Sequence, residues 1–321
     1  MCHRMIGIAL ALALCAAGQG NDWRQLCLDG IASEKAGRYA EAESTLKQAL
    51  AAARAIDPRG PETATVLNGV GTLLHQLGRW MDSEKAYLES LSILEHRTGP
   101  ESAASRTARI NLLAFYTDTN QPGKGDEIAD ALQKSLAPGS SGSDDAAVHG
   151  ALASFRLTTS EWDRAESHFQ ESVRIWSLQK RAPEGIHYTL SNYGLLLFQR
   201  GRIQEAKDKF LRARDTAESQ LGRGHPYFHR TLANLGIAYG ALGETKQADK
   251  LLALAVDLAI GTFGPDHIHT AQIMNSYLAL PRRKHDRVSR EMTRQAQAIV
   301  EKHSRENPIN KVWDVRTLVR R

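Results

Sequence analysis

The chain is poor in cysteine, with three residues in 321. That is too few for a disulfide framework. Aromatic residues make up only 6%, and Ala and Leu dominate the apolar set. Sheets are enriched in aromatic and β-branched side chains, so this balance favours helices. The 25 Gly and 10 Pro are too few for a collagen-like or mucin-like chain. No apolar run approaches about 20 residues. With a mean hydropathy of −0.40, this excludes a multi-pass membrane protein. What is present, 42% hydrophobic and 24% charged residues, is a globular composition. Length alone suggests about two average domains.

Residues 1–18 read as an address. Arg4 gives a positive start, Met5 to Leu14 is apolar, and Cys15-Ala16-Ala17-Gly18 offers small residues for cleavage. The expected product is exported, periplasmic or extracellular. A buried N-terminal helix is the structural alternative. Lipid anchoring through Cys15 is another, disfavoured by Leu14 where that signal wants a small residue. Cleavage leaves Cys27 as the one thiol, with burial in a helix interface expected.

A phrase recurs along the rest of the chain. It begins at Gly37-Arg38-Tyr39-Ala40-Glu41-Ala42-Glu43 and returns at Gly78, Ser160, Gly201 and Gly243, at intervals of 41, 82, 41 and 42 residues. The double interval hides a weak copy around Asn120, and a seventh, poorer copy begins near Ala271. Each copy reads as two helices joined at the phrase. The first helix carries a small residue in its middle: Gly30, Gly71, Ala153, Gly194 or Gly236. Glycine inside a helix costs about 1 kcal/mol relative to Ala. Its recurrence predicts a close backbone approach by the partner helix. The turn glycine suits a left-handed helix cap.

These features resemble the tetratricopeptide repeat, in the long-repeat subclass typified by kinesin light chains. The Asn234-Leu235-Gly236 phrase and the Gly264-Pro265-Asp266-His267-Ile268-His269-Thr270 linker carry the subclass resemblance. HEAT-type repeats are similar in length, but the Gly-Arg-aromatic turn with its Glu-Ala continuation argues against them. The resemblance implies an all-α fold, a right-handed α-solenoid of antiparallel helix pairs. Length then counts repeats rather than domains. The expected organisation is a signal at 1–18, a block of about three repeats at 24–136, a flexible break at 137–146, a second block at 147–280, and a degenerate repeat with a basic cap at 281–321. Pro281 should interrupt the last first helix.

A stacked solenoid offers a continuous concave wall formed by the first helices. Asn111, Asn192, Asn234 and Asn275 recur near the middle of their copies, with Asn68 one place earlier in the second. Amides spaced about 10 Å apart can hydrogen-bond an extended peptide backbone without reading its sequence. The resemblance also implies a groove-lining role for Asn at this place. The alternative is that these amides satisfy neighbouring loops and helix ends. His75, Gln76, Tyr188, Phe198 and Gln199 are expected on the same wall, with Tyr188 and Phe198 as an apolar anchor pocket or packed core. The carboxylate clamp of some family members needs Lys and Arg, whereas Cys27 and Ile31 occupy the comparable first-copy places.

No nucleophile motif, phosphate loop, dinucleotide fingerprint or zinc motif is present. Neither catalysis nor a cofactor or metal is therefore expected. The paired histidines His225/His229 and His267/His269 fall in inter-repeat linkers, without companions for a tetrahedral site. Charge is uneven. Residues 281–321 hold 12 Lys and Arg against 5 Asp and Glu, a net +7 in a chain of net +5, so residues 1–280 carry −2. Such an end can meet an anionic surface or simply be a solvated cap. Export argues against nucleic acid. The leading expectation is an exported, non-enzymatic scaffold binding a protein or peptide segment in its groove. The alternatives are a self-assembling solenoid or an accessory subunit of an envelope or secretion complex.

Overall fold

The computed structural model describes residues 22–36, 38–136, 139, 142–179, 185–280 and 287–306. The expected signal, Gly37, part of the 137–146 break and much of the basic end lie outside the described residues. Among the described residues there are fourteen α-helices and no strand. They are α1 (Asp22–Lys35), α2 (Tyr39–Ile56), α3 (Pro61–Gln76), α4 (Trp80–Thr98), α5 (Ala103–Asp118), α6 (Pro122–Lys134), α7 (Ser143–Thr158), α8 (Trp162–Ser177), α9 (Ile186–Gln199), α10 (Ile203–Leu221), α11 (Pro226–Ala241), α12 (Thr245–Phe263), α13 (Ile268–Leu278) and α14 (Arg287–Glu306). Odd-numbered helices are the first members of pairs and even-numbered helices the second. This is an all-α solenoid.

The chain divides into two compact units, residues 2–185 and residues 186–321. In the first, α1–α2, α3–α4, α5–α6 and α7–α8 pack as pairs, and first helices touch across pairs (α1 with α3, α3 with α5, α5 with α7). The helices flanking 137–146 are in contact, α7 meeting both α5 and α6. In the second unit α9–α10, α11–α12 and α13–α14 pair, with α11 touching α9 and α13. Helix α13 ends at Leu278, three residues before Pro281.

The recurring phrase has a local physical meaning. At the end of α3 the Gly78 N–H donates to the His75 carbonyl (3.1 Å), and the Arg79 N–H donates to the Leu74 carbonyl (2.9 Å). This pair of bonds satisfies orphan helix carbonyls and requires a left-handed residue. Gly78, Gly201 and Gly243 supply it with φ of 75°, 76° and 79°. In the weaker copies Asn120 (φ 52°) and Ser160 (φ 62°) hold the same conformation without being glycine. The Arg after the glycine pairs with the acid three residues on: Arg38 with Glu41 (2.7 Å), Arg79 with Asp82 (3.1 Å), Arg202 with Glu205 (2.7 Å). In the fourth copy the polarity reverses, with Glu161 to Arg164 at 2.7 Å. Small residues at the next register, Ala42, Ser83, Ala165, Ala206 and Ala248, are completely buried.

The mid-helix glycines admit a large side chain rather than a bare backbone. A Cβ on Gly30, Gly71, Gly194 or Gly236 would stand 2.7, 2.8, 2.6 or 2.6 Å from Leu46, Tyr87, Phe210 or Leu252. Each of those residues follows its glycine by sixteen positions, on the second helix of the pair. Ala153 and Phe169 occupy the same register, and both are fully buried. The expected close approach therefore holds in a modified form: a knob from the second helix enters the gap left by the missing Cβ. Cys27 is also fully buried.

Candidate ligand-binding face

In residues 2–185 the face formed by successive first helices is knit together by side chains. Asn111 on α5 donates through Nδ2 to Asn68 Oδ1 on α3 at 3.0 Å. Asn68 is 7% exposed and Asn111 not at all. Asn111 is thus a strut between helices, and the expectation that it faces a ligand is corrected by its burial. His75 brings Nε2 to 3.5 Å from Asp118 Oδ2, with both side chains buried. Its ring meets Phe115 edge-on at 5.2 Å. Gln76 donates to Glu34 Oε1 on α1 and accepts from the Tyr39 hydroxyl at 3.1 Å. His75 and Gln76 therefore belong to inter-helix contacts.

In residues 186–321 the same strut recurs, but its amide is less buried. Asn234 on α11 donates through Nδ2 to Ser191 Oγ on α9 at 3.3 Å and remains half-buried. Asn192 is buried. Asn275 on α13 is half-buried, and its side chain makes no hydrogen bond among the described residues. Tyr188 is buried against His187 (ring centroids 4.2 Å) and Tyr227 (4.3 Å). The Tyr227 hydroxyl donates to the His187 carbonyl at 2.9 Å. Phe198 and Gln199, both half-buried, occupy the far end of α9. Ten helical residues span about 15 Å, so Tyr188 and Phe198 cannot close one pocket, which corrects the expected anchor.

Sequence reasoning missed Glu34, Asp118, Ser191, Tyr227 and Arg230. A signal for several of them was available. Gln76–Glu34, Asn111–Asn68 and Asn234–Ser191 are separated by 42, 43 and 43 residues. Pairs of polar first-helix residues one repeat apart, offset by one or two positions, mark where adjacent helices meet.

Two of the four histidines expected in linkers, His225 and His267, act as helix caps, whereas His229 and His269 lie inside α11 and α13. His225 Nδ1 accepts from the Tyr227 N–H (3.1 Å), and His267 Nδ1 from the His269 N–H (3.2 Å). Each begins a first helix where a Ser or Asp would be usual. His229 donates through Nε2 to the Arg223 carbonyl at 3.0 Å, and burial pushes its pKa down to about 4. Among the described residues no group of three or more His, Cys, Asp or Glu could hold a metal ion. No described helix is long and apolar enough to cross a membrane.

A family model described as tetratricopeptide repeat matches residues 30–96 and 185–259. A search of curated proteins finds no match. Among solved structures, the chain is similar to the Rap conjugation gene regulator of the plasmid pLS20 in complex with the Phr* peptide. The TM-score is 0.66 at 15% identity, covering 90% of this chain and 76% of that one. It is also similar to a Rap protein complexed with competence and sporulation factor, with a TM-score of 0.61, 15% identity, and coverage of 93% and 80%. The apo form of RapI gives 0.57 at 13% identity, covering 87% and 99%. At these identities the likeness is one of fold.

Proposed function

Because the chain is a tetratricopeptide-repeat protein, we propose that it is a non-enzymatic scaffold that binds a protein or peptide segment along its first-helix faces. The observation that carries this reading is the pair of half-buried amides Asn234 and Asn275 on successive first helices of residues 186–321. Asn275 keeps its donors and acceptor uncommitted among the described residues, and Asn234 spends one donor on Ser191. Such amides suit a main chain laid across them. Two of the similar structures are complexes, one with the Phr* peptide and one with competence and sporulation factor.

The test is capture of displayed random peptides by the full chain and by the Asn234→Ala/Asn275→Ala variant. Retention should fall while the helical circular-dichroism signal stays constant. Equal retention would remove the reading.

We further propose export, on the strength of the charged start, the short apolar run and the small residues at 15–18. Mass spectrometry of the expressed protein should find an N-terminus after Ala17 or Gly18. A mature protein still carrying Met1 to Gly18 would refute it. The basic end of net +7 is proposed to meet anionic surfaces. Truncation at 281 should abolish salt-sensitive binding to anionic vesicles. Binding that the truncation leaves intact would refute that role.

A further inference from the structure

The three first helices of residues 186–321 are almost bare of charge. Helices α9, α11 and α13 contain no Asp, Glu or Lys, and Arg230 is their only Arg. The second helices of the same unit carry many charged residues, as α10 does in IQEAKDKFLRARDTAESQL. Charge has been kept off one face of the unit, with a single exception.

That exception is not a conventional structural arginine. Arg230 is only 8% exposed. Its Nη1 is buried and has no hydrogen-bond acceptor. Among the described residues it forms no salt bridge. The one contact its charge makes is with the face of Tyr227, at 5.3 Å from the ring centroid. A guanidinium is always charged and has five donors in a planar fork. An aromatic face holds it from one side and leaves the donor edge unanswered. A buried cation of this kind calls for an anion.

Its position says where the anion would come from. Tyr227, Arg230 and Asn234 fall at i, i+3 and i+7 on α11, one stripe of the helix. Tyr227 and Asn234 both reach α9, at the His187 carbonyl and Ser191 Oγ. Arg230 therefore lies on the stripe that meets the neighbouring first helix, beside Asn234. Helix α11 touches first helices on both sides, α9 and α13. A segment crossing α11 runs on in both directions, so the group over Arg230 comes from within the ligand rather than from its end.

We propose that Arg230 is the specificity determinant of this face, selecting ligand segments that place an internal Asp or Glu carboxylate over α11. The proposal rests on the groove reading above and adds the ligand's chemistry to it. The Tyr227 ring fixes the plane of the guanidinium, so the carboxylate can be taken edge-on by two parallel N–H donors. Asn234 holds the adjoining main chain. Because the flanking first helices offer no second charge, one acidic side chain at one register satisfies the site.

The full chain, Arg230→Gln and Arg230→Lys are each used to select from a displayed library of random peptides. The wild-type pool should be enriched in Asp and Glu at one position. The Arg230→Gln pool should still bind but lose that enrichment. Synthetic copies of a wild-type binder with Glu changed to Gln should bind the wild type about tenfold more weakly, the loss of one charge-assisted hydrogen bond. They should bind Arg230→Gln no more weakly than the Glu form does. Binders without acidic enrichment, or enrichment that survives Arg230→Gln, would overturn the proposal and leave the groove reading intact. Loss of binding on C-terminal amidation, with indifference to the Glu, would also overturn it. Absence of any retained peptide would overturn both readings. Should Arg230→Gln lose its helical signal, the Glu-to-Gln comparison on the wild-type chain decides alone: equal affinity overturns the proposal.

Discussion

Alanine at Gly194 and alanine at Gly261 are the same change in the same unit, and the packing predicts opposite signs for them. Both residues lie inside helices, α9 and α12, so each substitution gains the intrinsic preference of Ala over Gly, about 1 kcal/mol. At Gly261 nothing stands within 4 Å of the new Cβ. Gly261→Ala should therefore stabilise by up to about 1 kcal/mol. At Gly194 the new Cβ would stand 2.6, 2.8 and 3.0 Å from Cε1, Cδ1 and Cζ of Phe210. Carbon atoms rest at about 3.5–4.0 Å, so the ring must retreat by about 1 Å. Phe210 is 1% exposed and packed on every side. Interiors have few voids to absorb such a shift. Overpacking of this kind costs about 1–3 kcal/mol. With three ring atoms struck at once the upper end applies, leaving a net loss of about 2 kcal/mol after the gain in helix preference.

Urea unfolding of the full chain, followed by circular dichroism, measures both variants. The midpoint should rise for Gly261→Ala and fall for Gly194→Ala at unchanged slope. The double variant Gly194→Ala/Phe210→Leu supplies an internal control. Removing ring atoms opens space for the methyl, so the two changes together should cost less than their sum. A Gly194→Ala protein as stable as Gly261→Ala would refute the knob-into-gap account of the recurring small residue.

Ser160→Gly should stabilise residues 2–185 by about 1 kcal/mol in the same urea assay, because Ser160 holds φ 62° with a Cβ that glycine lacks. Asn120→Gly should gain less, since Asn tolerates that region better. Acid should weaken the fold through buried histidines. His229 is held down at about 4 by burial. His168 is also at about 4, through burial and the neighbouring His149, to which it is bonded Nδ1 to Nδ1 at 2.9 Å. A folded-state value below the unfolded value of about 6.5 means that the unfolded chain takes up the proton first. This stability is therefore complete above pH 6.5 and is lost as the pH falls toward 4, by up to about 3 kcal/mol for His229. Melting temperatures across that window should fall less steeply in His229→Gln; parallel profiles would sink the assignment.

Local chemistry and cross-repeat chemistry were not equally visible in the sequence. The phrase at Gly78 and Gly201 could be read directly, since each of its letters has a local task. The glycine takes a left-handed φ, the Arg pairs with the acid three residues on, and the following small residue is buried. All of these act within a few residues, the range over which sequence pattern and structure coincide. The mid-helix glycines were visible for the same reason, although what fills their gap comes from sixteen residues away.

The binding face is another matter, because it depends on which side chains meet between repeats. Aligning repeats places Asn111, Asn192 and Asn234 in comparable positions. The observed bonds instead join residues offset from that alignment, as Asn234 meets Ser191 rather than Asn192. A helix stacked on its neighbour is displaced along its axis, and a displacement of one residue changes which side chains meet. Asn111 and Asn234 each donate to the residue 43 positions back, yet Asn111 is fully buried and Asn234 half-buried, a difference that repeat alignment does not carry. Tyr188 and Phe198 failed as an anchor because a shared face says nothing of distance along the helix.

Arg230 escaped notice for the opposite reason. Attention to recurring residues passes over one that occurs once. Its signal was the emptiness around it, in three first helices with no acid to meet it. In a repeat protein the shared positions build the wall. What distinguishes one ligand from another must come from positions where the copies differ, and on α9, α11 and α13 Arg230 is the largest such difference.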